Sequence, residues 1–281
     1  MNTFPMFKHP TVPLHPCSTT IVDAPRVCRH PEDPSIVFCT CDTAPNVIER
    51  ACQALRAFVR LHPEWQPAIV FDKAVGSTDA KRVDKGVYCV FAGHLLTSVI
   101  QSMESRYPAV TMATMAAGKL FPEYKWAVQI EPDVVAVERI PDKAFDGLSC
   151  MGVQTGSRAQ LSFPALALLL REVRRRVGLR YQPLGSAHVP GALLMRLPAM
   201  RTLGVWHGAL DVMRVAAEMG RSLEADHDLV AACRALRPEW FVEVGGLVTL
   251  VSDDAHQPES TALVHCSPIR PWHSGALPSS G

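Results

Sequence analysis

Two carboxylates, Glu131 and Asp133, lie one residue apart directly after the apolar run 126–130. Pro132 separates them, and a second apolar run follows them. The first run is typical of a buried strand that ends at the proline. Open α/β sheets bind ligands at the carboxyl ends of their strands, and paired carboxylates suit Mg²⁺ or Mn²⁺. The pattern therefore predicts a divalent-metal site. The alternative that these residues leave open is a strand ending in a solvated acidic turn.

The composition favours one large globular domain. The chain has 281 residues, of which 48% are hydrophobic, and this is enough for a sizeable core. No apolar stretch reaches the roughly 18–20 residues of a membrane span, and a net charge of +1 does not indicate a nucleic-acid or membrane surface. The N-terminus lacks the pattern of a secretory signal, and the nine cysteines form no regular framework, so we expect a cytoplasmic protein.

Predicted strands and helices alternate along the first half of the chain. The strands are 35–40, 67–71, 87–91 and 126–130, and the helices are 45–61, 95–107 and 112–121. This alternation predicts an α/β fold with a mostly parallel, Rossmann-like sheet that is flanked by helices on both faces. In the second half the patterns predict strands 149–153, 191–197 and 262–265, helices 163–177, 198–219 and 226–236, a short helix 140–145, and a hairpin over 242–251.

The two ends of the chain differ in composition from its middle. Residues 1–34 are rich in Pro and His, which predicts an extended arm, and 274–281 is expected to be a flexible tail. Residues 35–273 then form a single domain. A zinc site near the arm is disfavoured because the spacing of its candidate ligands matches no common zinc pattern. Those candidates are Cys17, Cys28, His30, Cys39 and Cys41.

A run of arginines closes the helix predicted over 163–177. Its members are Arg171, Arg174, Arg175 and Arg176, with Arg180 beyond them. Cations at a helix C-terminus are favoured by the helix dipole, which is the structural interpretation. The functional alternative is a patch that binds phosphate or an acceptor.

Several segments, taken in chain order, resemble glycosyltransferase family 8, which includes glycogenin and bacterial lipopolysaccharide galactosyl- and glucosyltransferases. They are Val-Phe-Cys-Thr-Cys-Asp at 37–42, the acidic segment 120–133, the segment 188–201 with its Pro-Gly, Asp226-His227, and Val-His-Cys-Ser-Pro-Ile-Arg-Pro-Trp at 264–272. The acidic segment is similar to the family's Asp-x-Asp motif, with a glutamate in first place. The last segment is similar to the family's closing His-x-x-Gly-x-x-Lys-Pro-Trp.

The resemblance implies a GT-A fold and a metal-dependent glycosyltransferase. Such an enzyme would move a hexose from a nucleotide sugar, with UDP favoured, to an unidentified hydroxyl and would retain configuration. The implied cofactor is Mn²⁺ or Mg²⁺, held by Glu131, Asp133 and His265. The implied donor contacts are Asp42, Asp133, Gly191 and Arg270, of which Arg270 would grip the diphosphate. Asp226, which would lie near the sugar, and Asp228 are the catalytic candidates, and the alternative for both is a plain helix start. Asp42 is equally compatible with a helix cap.

The chain departs from the family pattern at positions near the donor. Ala44 stands where the family has a stacking aromatic residue, Thr114 where it has Arg, Val189 where it has Asn, and His227 where it has Gln. These departures keep open a catalytically inactive GT-A-like module that binds a partner or a sugar. The implied acceptor is a glycan, a protein or, as a lesser alternative, a modified base in DNA. The run Arg171–Arg180 would suit a phosphate backbone.

Overall fold

The computed structural model of the protein describes residues 29–41, 44–71, 82–92, 109–156, 163–177, 187–188, 191–219, 226–251 and 262–266. The strands are β1 (Ser35–Cys41), β2 (Gln66–Phe71), β3 (Tyr88–Phe91), β4 (Trp126–Ile130), β5 (Val134–Ala136), β6 (Met151–Val153), β7 (Thr155–Gly156), β8 (Ala187–His188), β9 (Ala192–Arg196), β10 (Phe241–Glu243), β11 (Val248–Val251) and β12 (Leu263–Cys266). The α-helices are α1 (Pro45–Leu61), α2 (Ala109–Leu120), α3 (Phe163–Val177), α4 (Leu197–Thr202), α5 (Val205–Glu218) and α6 (Asp226–Leu236), with 3-10 turns at Asp142–Phe145 and Pro238–Trp240. None of these described helices is long and apolar enough to cross a membrane.

Within the described residues, seven strands form the central sheet in the order β10-β6-β9-β4-β1-β2-β3. All neighbouring pairs are parallel except the two that β9 makes, with β4 and with β6. A smaller sheet has the order β11-β12-β5, and β7 pairs with β8. The predicted α/β class with a mostly parallel sheet is therefore confirmed.

Side chains of β1 alternate between two buried clusters, one on each face of the central sheet. Ile36 and Phe38 belong to the cluster that includes residues of α2, α3, α5 and α6, whereas Val37 and Cys39 belong to the cluster that includes residues of α1. Strand β1 is buried along its whole length. A strand that is apolar on both faces is typical of a parallel sheet covered on both sides. The expected helices on both faces are thus confirmed.

The strand order reverses beside β1. From β1 the chain continues to β2 and β3 on one side, and it then returns to β4 on the other side. β1 pairs in parallel with β2, and it pairs in parallel with β4 from Ser35 opposite Trp126 to Phe38 opposite Gln129. The carboxyl ends of β1 and β4 therefore meet at the topological switch point, where open α/β sheets bind ligands.

Two predictions for the second half of the chain are wrong. The helix predicted over 198–219 is divided into α4 and α5, because Gly204 adopts a left-handed φ of +65° that interrupts regular helix geometry. The hairpin predicted over 242–251 does not form, since β10 pairs with β6 whereas β11 pairs with β12 in the smaller sheet. The helix predicted over 95–107 lies outside the described residues.

The structure describes the last six residues of the predicted arm, 29–34. They pack against the edge of the central sheet at which strands β1, β2 and β4 begin. The Arg29 guanidinium is buried, contacts the Asp142 carboxylate at 2.5 Å and lies 4.7 Å from the Trp65 ring centre. Asp33 accepts hydrogen bonds from the Lys125 ammonium at 2.6 Å and from the Trp126 indole at 3.0 Å. Burial raises the pKa of Asp33, but the hydrogen bonds outweigh burial and lower that pKa to about 2. Residues 1–28 lie outside the described part of the chain.

A buried histidine at the same edge makes the stability of the fold depend on pH. The Ile140 amide donates to His62 Nε2 at 3.0 Å. Burial lowers the pKa of His62 to about 4 despite the nearby Glu64 carboxylate. The unfolded chain takes up this proton near the ordinary histidine pKa of about 6.5. The contribution of neutral His62 to stability is therefore complete above about pH 6.5 and is lost as the pH falls toward about 4.

The His62→Gln variant tests this dependence, because glutamine retains an acceptor for the Ile140 amide but does not titrate. Between about pH 7.5 and about pH 5, we expect the free energy of unfolding to fall by about 2 kcal/mol more in the wild type than in the variant. Urea titrations at the two pH values measure this difference. Equal pH dependence of the two proteins would contradict the assignment.

Candidate functional site

The acidic motif forms a tight turn at the carboxyl end of β4. The Val134 amide donates to the Glu131 carbonyl at 3.0 Å, which closes a four-residue turn. The two carboxylates stand at its first and third positions, and Pro132 stands at the second, where its fixed φ suits the turn. Both acids are partly exposed, so a ligand can reach them. The predicted end of the strand before the proline is confirmed.

Gly191 holds the backbone of this turn. Its carbonyl accepts a hydrogen bond from the Glu131 amide at 3.0 Å. Its φ is +116°, a backbone conformation that residues other than glycine rarely adopt. The chain then enters β9, where Ala192 lies opposite Ile130. The structure thus places Gly191 beside Glu131, and its contact with a donor stays a prediction.

The end of β1 lies close to both carboxylates. Burial raises the pKa of the Cys39 thiol well above its usual range, and the nearby thiols of Cys41 and Cys52 and the charges of Glu131 and Asp133 add to the rise. The carboxylates therefore act on a thiol two residues before the end of β1. This electrostatic effect agrees with the pairing of β1 and β4, whose carboxyl ends lie side by side at the switch point. Asp42, the next residue after β1, lies outside the described residues.

Strand pairing in the smaller sheet sets the backbone of His265 beside the acidic turn. β12 is antiparallel to β5, with His265 opposite Val134, the residue that follows Asp133. Opposite residues in such a pair have Cα atoms about 4.5–5.5 Å apart. The backbone register therefore brings His265 next to the acidic turn, although the two are distant in sequence. Of His265 the structure describes the backbone alone.

The donor set of Glu131, Asp133 and His265 fits the predicted cation. Two carboxylates and an imidazole supply hard and borderline ligands, which suit Mn²⁺ and, with added water, Mg²⁺. Among the side chains that are described, no group of three His, Cys, Asp or Glu is arranged as a metal site. The metal role of these three residues stays a prediction that rests on the chemistry of the set and on the backbone register.

Asp226 begins α6, and the predicted helix start is confirmed. The helix packs against α2, α3 and α5 and contacts β8, which lies just before Gly191 in the chain. The side chains of Asp226 and Asp228 are outside the described set, so their catalytic role stays a prediction. Val189 and Arg270 also lie outside the described residues.

Two of the departures from the family pattern can be placed. Ala44 precedes α1 and its carbonyl accepts hydrogen bonds from the amides of Val47 and Ile48. Thr114 is fully buried in α2, and its hydroxyl has no hydrogen-bond partner within the described structure. The Thr114 side chain is therefore a core group, unlike the donor-contacting arginine that the resemblance implies at this position.

The arginine run on α3 is exposed but partly neutralised. Arg175 and Arg176 both pair with Glu172, at 2.7 and 2.6 Å, and Arg176 also pairs with Glu218 on α5. These bonds join the run to its own helix and to a neighbouring one. They favour the structural interpretation of Arg175 and Arg176 over a phosphate-binding patch.

The sequence patterns do not indicate Gln154, yet its side chain lies at the same edge. It follows β6 and bonds twice to the backbone of Val248 at the start of β11. No motif or periodicity marks a glutamine for such a contact. Its partner is distant in sequence, so only the folded chain brings the two residues together.

No protein-family model matches the sequence, and no curated protein matches it. Solved structures do match. The chain is similar to the apo form of mouse xyloside xylosyltransferase 1, with a TM-score of 0.56 and 15% identity over 84% of this chain and 98% of that one. It is similar to the galactosyltransferase LgtC in complex with donor and acceptor sugar analogs, with a TM-score of 0.58 and 14% identity over 85% of this chain and 90% of that one. It is also similar to the bifunctional glycosyltransferase WbbM, with a TM-score of 0.54 and 10% identity over 84% of this chain and 46% of that one.

These similarities show that the chain has the GT-A fold of glycosyltransferases, and the expected fold is confirmed. At such identities they show the fold alone. Folds host many activities, so an activity has to be argued from the site.

Proposed function

We propose that the protein is a metal-dependent glycosyltransferase that moves a hexose from a UDP-linked sugar to a hydroxyl acceptor with retention of configuration. The GT-A fold supports glycosyl transfer in general. One observation supports the proposed metal dependence: the turn after β4 carries Glu131 and Asp133, and the pairing of β12 with β5 sets the backbone of His265 opposite Val134 at the same edge of the sheet. The hexose, the UDP linkage and the retention of configuration rest on the resemblance to glycosyltransferase family 8.

The proposed roles follow from the chemistry of a nucleoside diphosphate leaving group. The cation, when bound, offsets the negative charge that develops on that group. Glu131, Asp133 and His265 hold it, and the lack of a side chain at Gly191 allows close approach of the donor. The proposed donor contacts are Asp42, Asp133, Gly191 and Arg270. The proposed catalytic acids near the sugar are Asp226 and Asp228.

A glycan or a protein is the favoured acceptor. LgtC, one of the similar structures, is in complex with donor and acceptor sugar analogs, which supports a sugar acceptor by analogy. The lesser alternative, a modified base in DNA, needs free positive charge for the phosphate backbone. The pairing of Arg175 and Arg176 with Glu172 reduces the charge that the α3 run offers.

A second candidate function is a catalytically silent GT-A-like module that binds a partner or a sugar. Thr114 favours it, because a fully buried threonine stands where the resemblance implies an arginine that contacts the donor. Position 114 therefore supplies no cation to hold the nucleotide. The two candidates differ in whether a nucleotide sugar binds in a metal-dependent manner.

A thermal-shift panel separates the two candidates. Wild type and Asp133→Asn are heated with UDP, GDP, CDP and their sugars, each with and without Mn²⁺. A ligand that binds only the folded state raises the melting temperature, by an amount that corresponds to about 2.7 kcal/mol at 100 times its Kd. A shift with UDP or UDP-sugar that requires Mn²⁺ and is lost in Asp133→Asn is expected. No shift with any nucleotide would favour the silent module.

A further inference from the structure

A side-chain amide joins the two sheets at the edge that carries the candidate site. Gln154 Nε2 donates to the Val248 carbonyl at 2.6 Å, and the Val248 amide donates to Gln154 Oε1 at 2.5 Å. A carboxamide has a donor and an acceptor side by side, so it makes here the two bonds that an adjacent strand would make to one residue. Val248 is buried, and it is the first residue of β11.

The two hydrogen bonds of Gln154 are important because a glycine-rich link precedes β11. The main sheet ends at β10, where the Val244 amide still donates to the Val153 carbonyl at 2.9 Å. Two glycines follow, and Gly246 has a left-handed φ of +68°. Glycines restrict the backbone least, so the Gly245-Gly246 link by itself does not determine where β11 lies. The Gln154 amide fixes β11 directly after that link.

Strand pairing connects β11 to His265, the candidate metal ligand on β12. β11 pairs in parallel with β12, with Val248 opposite Leu263 and Leu250 opposite His265. β12 in turn pairs with β5, which places His265 opposite Val134. We infer that Gln154 is a positioning residue, which fixes the His265-bearing strand β12 relative to the Glu131–Asp133 turn and so sets the affinity of the site for its divalent cation.

This inference rests on the proposed function, since it takes His265 to be a metal ligand. Groups that orient metal ligands are worth about 10–100-fold in metal affinity. Gln154 bonds to Val248 and acts on His265 through two strands, β11 and β12, so the effect belongs at the lower end of that range. Its loss also weakens the attachment of β11 and, through the pairing of β11 with β12, the attachment of β12, so the amides of residues 262–266 are expected to exchange faster.

The test replaces Gln154 with methionine, which has a similar length and no amide. Mn²⁺ binding is measured in the presence of UDP from the paramagnetic resonance signal of the free ion, and hydrogen exchange is measured over 262–266. We expect Mn²⁺ binding to weaken about tenfold and exchange in β12 to become faster. Gln154→Glu keeps an oxygen for the Val248 amide and loses the donor. It replaces Gln154→Met if that variant does not fold, and its Mn²⁺ binding is expected to be weakened as well.

Gln66→Met is the matched control. Gln66 also donates to a main-chain carbonyl of another segment, that of Gly86 at 3.1 Å, but it stands at the amino end of β2. Its loss is expected to leave Mn²⁺ affinity and β12 exchange unchanged. Wild-type Mn²⁺ affinity in both Gln154 variants, with Mn²⁺ bound normally by the wild type, would overturn the inference alone. No Mn²⁺ binding by the wild type would overturn the proposed function. Faster exchange in Gln154→Met would then show that the Gln154–Val248 contact only stabilises the fold, which would overturn the positioning role.

Discussion

Alanine in place of Asp133 is expected to lower hexose transfer by about 100-fold or more, because the leaving diphosphate loses the charge stabilisation that the acidic turn supports. The fold should persist. Asp133 is a partly exposed turn residue, and substitutions at such positions usually change the free energy of unfolding by less than about 1 kcal/mol. Transfer of the hexose to water, which serves as the acceptor in this assay, is measured as UDP release from UDP-sugar with Mn²⁺, and unfolding is measured by urea titration.

Glu138→Ala supplies the matched control for this prediction. Glu138 is an exposed carboxylate shortly after β5, and it lies outside the turn. Its removal subtracts the same charge from the same region of the chain. Wild-type transfer in Glu138→Ala together with a large loss in Asp133→Ala would assign the effect to the turn. Full activity in Asp133→Ala would refute the proposed metal site.

Alanine in place of Gly191 is expected to damage both the fold and the site. A Cβ at φ +116° is strained, and such strain costs about 1–3 kcal/mol. Relief of the strain moves the carbonyl that accepts the Glu131 amide. We therefore expect the free energy of unfolding to fall by about 2 kcal/mol and Mn²⁺ binding to weaken about tenfold. Urea titration and Mn²⁺ titration measure the two effects.

The control for this prediction is Gly245→Ala. Gly245 has no positive φ, and an added Cβ there meets no atom within 4 Å. The substitution is expected to leave the free energy of unfolding unchanged or to raise it by up to about 1 kcal/mol, and to leave Mn²⁺ binding intact. If Gly191→Ala behaves as mildly as Gly245→Ala, the backbone at Gly191 does not constrain the acidic turn.

Local chemistry made several parts of the structure predictable. Helix α1 was predicted over 45–61 and spans Pro45–Leu61, since its apolar face has helical spacing and a proline starts it. The strand before Pro132 ends where predicted, because proline cannot continue the ladder of a central strand. The start of α6 at Asp226 follows the preference of acids for helix N-termini. Each of these depends on residues within a few positions of one another.

Long-range pairing explains the predictions that were wrong or missing. Adjacent strands around Gly245-Gly246 look like a hairpin, but β10 and β11 pair with strands of different sheets. Turn residues show that the chain bends there, and they carry no information on which strand edge is free to receive each strand. Thr114 shows the same limit, because its alignment with an arginine of the family did not indicate that its side chain is buried in the core.

The α/β class, the bounds of α1 and the two carboxylates after a strand can be predicted from short stretches of sequence, because periodicity and turn chemistry act between near neighbours. In contrast, the position of His265 opposite Val134 and the bonding of Gln154 to Val248 are visible in the folded domain alone. Both contacts join segments that are remote in the chain. Their geometry depends on sheet order and strand register, which are set by the packing of the whole domain rather than by any short stretch of residues.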